Sequence, residues 1–152
     1  MLRTYITCLL LLFSFVLTAQ KTNPQYNKVL ADSLGADEYG MKMYQFVILK
    51  TGQRKINNTD SVQQLFSGHM QNINRLVKEG KLVVAGPFGK NDKQYRGLFI
   101  FKVKDKQEAQ NLLITDPAVK EGLLAYEIYE WYGSAALPMY LPYSETVNKT
   151  VF

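Results

Sequence analysis

The single histidine of this 152-residue chain, His69, lies on an apolar stripe. At about 100° per residue from Val62, the side chains of Leu65, Phe66, His69, Ile73, Leu76 and Val77 fall within roughly 60° of one direction. Gln63, Gln64, Ser67, Gln71, Asn74, Arg75, Lys78 and Glu79 point elsewhere. An imidazole turned toward a core needs a hydrogen-bond partner to replace the water it gives up. A carboxylate on one ring nitrogen would fix the tautomer and leave the other nitrogen as a general acid or base. Asp116 is the candidate: it falls at about −20° from Ala109, inside the stripe that Leu112 and Leu113 define on a second helix. The plainer reading of Asp116 is an Asp-Pro turn at a helix end, with the pair buried for structural reasons only.

The elements that must carry these residues follow a rhythm of periods. Residues 41–49 are rich in aromatic and β-branched types and read as a strand. Asp60-Ser61 opens a long helix, with Ser61 and Gln64 spaced as a capping box and Gly80 closing it. Ser67-Gly68 is an alternative starting point for that helix. Residues 82–85 form a short strand closed by Gly86-Pro87, and residues 98–103 a third strand. Asp105 and Glu108 make a second capping box, and Pro117 should stop the helix near Asp116. Residues 123–131 supply the fourth strand. The order β-α-β-β-α-β is that of a ferredoxin-like α+β sandwich, a four-stranded antiparallel sheet with two helices on one face. Because the strands are apolar on both faces, the open face should associate, and we expect a homodimer with sheet packed on sheet.

Residues 1–19 have the form of a secretory signal peptide. Arg3 precedes a short apolar run that ends at Thr18-Ala19, and the run falls short of the ~17–25 residues a membrane-spanning helix needs. Cys8 has no lipobox before it. Cleavage would remove Arg3 and Cys8, leaving 133 residues, no cysteine and a formal charge of +4, and would send the protein to the periplasm or the medium with no remaining membrane anchor. The scattered lysines form no basic helix face, which argues against nucleic acid as a partner. Residues 20–40 form a polar lead-in with a short helix at 26–34 ended by Gly35. Residues 133–152, with Pro138, Pro142, Tyr140 and Tyr143, form a tail too apolar for plain disorder, expected to lie across the domain or its dimer partner.

Other chemistry-bearing residues are few. Arg96, beside Gly97 at the start of a strand, is placed to meet an anionic ligand or simply to remain solvated. Gly86-Pro87-Phe88-Gly89 lacks the lysine and following helix of a phosphate loop. Asp32, Asp37 and Glu38 lack the ligand spacing of a calcium loop, and one histidine with one carboxylate falls short of a metal site.

His69-Met-Gln-Asn-Ile-Asn-Arg-Leu76, Glu79-Gly80-Lys-Leu-Val-Val-Ala-Gly86-Pro87, Arg96-Gly97-Leu-Phe-Ile and Asp116-Pro117-Ala-Val-Lys-Glu-Gly122 together resemble the YCII-related (YciI-like) family, over about residues 41–131. The resemblance implies membership of the dimeric α+β barrel group, which includes muconolactone-isomerase-like proteins. It implies an active site on a histidine–aspartate dyad, His69 and Asp116 here, with Gly86-Pro87 lining the pocket and no cofactor. A dehydrochlorinase acting on a chlorinated hydroxyquinol is the best-known activity of that family. Many members carry an arginine one helical turn before the histidine, where this chain has Leu65 and Phe66. Two functions are expected in competition: proton transfer on a small cyclic or carbonyl compound of lyase or isomerase type, and a non-catalytic ligand-binding or structural module.

Overall fold

The computed structural model describes residues 23–144 and 146–149. The expected signal peptide lies outside them. The element order is α1 (Lys28–Leu34), β1 (Met41–Thr51), α2 (Thr59–Lys78), β2 (Leu82–Pro87), β3 (Tyr95–Phe101), α3 (Lys106–Leu113), α4 (Pro117–Lys120) and β4 (Leu124–Ser134). A 3-10 turn at Leu137–Tyr140 and the short helix α5 (Leu141–Ser144) follow. The strands form one sheet in the order β2-β3-β1-β4, every pair antiparallel. This is the ferredoxin-like α+β arrangement, with β3 and β1 at its centre and β2 and β4 at its edges.

The period-2 alternation of β1 sends Val47 and Leu49 to one face and Tyr44 and Phe46 to the other. On the first face, Val47, Leu49, Leu82, Phe99, Phe101 and Leu124 meet Leu76 of α2, Ala109 and Leu113 of α3 and Ala118 of α4 in one core. Each large side chain sealed there contributes roughly 1.5–3 kcal/mol. Both long helices therefore cover the same face. On the second face Tyr44, Val83 and Ile100 are buried, with Phe46, Val84, Leu98 and Leu137 against them. Leu137 comes from the tail, whose Tyr140 hydroxyl donates to the carbonyl of Val83. The tail thus lies across its own domain at one end of this face. Tyr129 and Trp131 on β4 remain exposed.

Several boundaries differ from the sequence reading, each for a local reason. The first long helix opens at Thr59, because Asn58 rather than Ser61 is the N-cap: its side chain accepts the Ser61 N–H at 2.8 Å. It runs unbroken through Ser67-Gly68. Gly80 does close it, in a left-handed conformation (φ 67°), with its own N–H and that of Lys81 bonded to Val77 and Leu76. Asp105 caps α3, but Glu108 reaches back to the N–H of Lys104 instead of completing the box on Asp105. The third strand begins at Tyr95 and ends at Phe101, drawn to the N-terminal side by its pairing with Lys50 and Pro87. The fourth continues to Ser134, because β1 supplies partners down to Met41, so the tail starts later than residue 133.

Asp116 is the most consequential difference. It is not part of the second long helix, which ends at Leu113. It is the N-cap of the separate helix α4, with Pro117 in the first position, where a missing N–H costs nothing. Its place in the core comes from capping geometry and not from helical period.

Candidate active site

Two elements bring the dyad together. α2 carries His69 inward, and the turn between α3 and α4 carries Asp116 to meet it. Nδ1 of His69 lies 2.6 Å from Oδ2 of Asp116. The other carboxylate oxygen, Oδ1, accepts the N–H groups of Ala118 at 2.9 Å and Val119 at 3.4 Å. The carboxylate is fully buried and the imidazole 9 % exposed. A carboxylate fixed by two backbone donors holds its remaining oxygen in one direction, so it faces Nδ1 as an acceptor and Nδ1 is the nitrogen that donates to it.

Gly68 makes the approach of these two elements possible. A Cβ there would sit 2.8 Å from Cγ of Pro117, so only glycine allows α2 to come this close to the start of α4.

The imidazole is held on its faces as well. Phe99 stacks on it at 5.9 Å between ring centres and 23° between planes, and Phe66 meets it edge-on at 6.2 Å. Nε2 makes no hydrogen bond among the described residues, yet it is not among their sealed unpaired atoms. It faces a cleft of about 500 Å³, lined by apolar residues that include Phe66, Met70, Ile73 and Phe99, and by Gly86, Pro87, Arg96 and Gly97. That volume suits a small organic molecule. Arg96 is the only charged residue of the lining and makes no ion pair among the described residues.

The structure therefore brings His69, Gly86, Pro87 and Arg96 around one cleft and places Asp116 behind the histidine. Asp116 supports the ring without touching the cleft itself. Gly97 lets the two strands of the wall close up, since a Cβ there would meet the carbonyl oxygen of Gly86 at 2.7 Å.

Sequence reasoning missed the polar residues behind the dyad. Asn72 is buried, and its Nδ2 points at Oδ2 of Asp116 from 3.5 Å. Its Oδ1 accepts from Nη2 of Arg75 at 2.7 Å and from the Thr115 hydroxyl at 3.0 Å. The three-residue step His69, Asn72, Arg75 along one helix ridge was the available signal. Among the described residues, no group of three or more His, Cys, Asp or Glu side chains is placed to hold a metal ion.

No curated protein matches the chain. Among solved structures, the chain is similar to 5-chloro-2-hydroxyhydroquinone dehydrochlorinase from Burkholderia phenoliruptrix AC1100, in its complex with 2,5-dihydroxybenzoquinone. Sequence identity is 22 %, and the match covers 57 % of this chain and 92 % of that one, with a TM-score of 0.42. The sequence model of the YCII-related domain matches residues 43–132, more than half of the chain and the whole of the sheet and its helices except strand ends. The chain belongs to the YCII-related domain family.

Proposed function

We propose that this is an exported enzyme that moves a proton on a small cyclic or carbonyl compound, with His69 as general acid–base and Asp116 as its partner. The observation that carries this reading is the asymmetry of the imidazole: Nδ1 is bound to a buried carboxylate 2.6 Å away, while Nε2 opens into an apolar cleft. In the reaction, Nε2 takes a proton from a carbon next to a carbonyl. The electron pair of that C–H bond becomes an enolate, and the Asp116 carboxylate stabilises the imidazolium formed. The Arg96 guanidinium stands at the cleft to attract the developing oxyanion. The proton then returns to another carbon, giving an isomer, or a leaving group departs with its bonding electrons, giving elimination.

A second reading keeps the pair structural, and the capping of α4 by Asp116 favours it. Incubation of the protein in deuterium oxide with a panel of cyclic ketones, hydroxyquinols and lactones distinguishes the two. Catalysed C–H exchange or elimination of a panel member supports the enzyme. Exchange and elimination of no panel member, in a folded protein that loses stability on His69→Asn, supports the structural pair.

We also propose that two copies associate through the second face of the sheet, where Phe46, Tyr129 and Trp131 leave apolar surface uncovered. Export rests on residues 1–19 and is tested by the N-terminal sequence of protein recovered outside the cytoplasm.

A further inference from the structure

We propose that Arg75 is a positioning residue of the dyad, acting through Asn72 and Thr115 to hold the Asp116 carboxylate in line with Nδ1 of His69. The proposal rests on the reading of His69 and Asp116 as the working pair.

Arg75 divides its hydrogen bonds in a telling way. Nη1 goes outward to Glu79 at 2.7 Å, an exposed helix pair of the kind that contributes little. Nη2 goes inward, to Oδ1 of Asn72 at 2.7 Å and to the hydroxyl of Thr115 at 2.9 Å. These bonds decide which way the Asn72 amide faces. Its oxygen accepts from the donor-only guanidinium, so its NH2 group must point at Oδ2 of Asp116. The single proton of the Thr115 hydroxyl is shared between that amide oxygen at 3.0 Å and the carbonyl of Leu112 at 2.6 Å. The flipped amide would set NH2 against a cation. Asp116 then has a donor for each of its usual acceptor directions: His69 and Asn72 on Oδ2, and the N–H groups of Ala118 and Val119 on Oδ1. Such a carboxylate cannot turn away when the imidazole becomes charged.

No lysine or arginine pairs with Asp116 directly among the described residues. Arg75 is the cation one amide removed. The ionisable groups around His69 are Asp116 from the cap of α4, Arg96 from β3, and Arg75 and Glu79 along α2. The lining residues from β1, β2 and β4, namely Leu49, Ala85, Gly86, Pro87 and Leu124, carry none.

Because the chain has one histidine, its ring can be followed alone. The experiment is a pH titration of the 15N-labelled protein, reading the protonation midpoint of His69 and the balance of its two neutral tautomers. Arg75→Met keeps the apolar stem at a half-exposed position, so the fold should survive. It removes a nearby cation, which by itself raises the midpoint, and it frees Asn72, which lets the Asp116 carboxylate turn away from Nδ1. The midpoint should rise by about half a unit, roughly a threefold change in the protonation constant, and the Nδ1–H tautomer should lose its dominance. Thr115→Val removes no charge and should lower the share of the Nδ1–H tautomer alone, by less than Arg75→Met. Glu79→Gln breaks only the outward bond and should leave the ring as in the wild type.

Arg75→Met with an unchanged tautomer balance would overturn the proposal whatever its midpoint, as would an equal change in Glu79→Gln. The titration needs no substrate. A changed tautomer balance with no catalysed exchange therefore rejects the enzyme while keeping the positioning role, and catalysed exchange with an unchanged balance does the reverse.

Discussion

Gly68 and Pro117 touch across the seam between α2 and α4, and a methyl group on Gly68 would stand 2.8 Å from Cγ of the proline. These residues are the immediate neighbours of His69 and Asp116. The closeness of the dyad is thus set by the bare backbone of one helix resting on the rigid ring that starts the next.

Gly68→Ala measures that contact. In an exposed helix interior the change would stabilise by about 1 kcal/mol. Here the proline ring cannot swing aside, and overpacking of this kind costs roughly 1–3 kcal/mol. We expect a net loss of stability in chemical denaturation and a weakened Nδ1–H resonance from His69. A more stable protein with an unaltered resonance would show that the seam has slack.

Asp116 does two jobs that substitution can separate. Asp116→Ala removes the cap of α4, worth about 1 kcal/mol, and strands the buried imidazole N–H, worth roughly 1–3 kcal/mol. Asp116→Asn keeps an acceptor for the Ala118 N–H. Denaturation should therefore rank wild type above Asn and Asn above Ala. Equal stability of the two variants would mean that the cap contributes nothing.

Acid should weaken the fold through Glu108. Its hydrogen bond from Lys81, and then that from the Lys104 N–H, hold its carboxyl below the ordinary value of 4.5. A group whose value is lowered on folding stabilises the fold above its unfolded value and loses that contribution as pH falls toward the folded one. Melting temperatures near neutrality should be similar for wild type and Lys81→Met after allowing for a constant offset. Below pH 4.5, the wild type should lose stability more steeply. Parallel curves throughout would refute the linkage.

The single tryptophan, Trp131, reports on the open sheet face. It packs against Tyr44 at 5.7 Å and Phe46 at 6.5 Å and is 38 % exposed in one copy. If two copies join there, its emission should move to longer wavelength on dilution, and Phe46→Glu should show the long-wavelength form at every concentration. Concentration-independent emission with a monomeric mass would exclude this interface.

The fold was legible because period and punctuation agree over long stretches: the α2 stripe from Leu65 to Val77, the Gly80 stop, and the apolar runs of β1 and β3. Helix starts were less legible, since Asn58 and Ser61 are both good caps and only the path of the preceding loop selects Asn58. Asp116 reaches the core by a route its sequence spacing does not show. The helical angle from Ala109 pointed inward, but Pro117 had already begun a new helix with Asp116 as its cap. Asn72 and Arg75 escaped because a polar residue at the edge of an apolar stripe looks solvated until its partner, here Thr115 on a distant turn, is known.

A proton carried by Nε2 of His69 for a substrate in the cleft must disappear with the ring. The most direct measurement is the rate of deuterium exchange or elimination for the best panel compound with His69→Asn, compared with wild type at equal folded fraction. We expect a fall of about 10²–10⁴-fold, the usual contribution of a positioned acid–base group. An unchanged rate in the folded variant would contradict it.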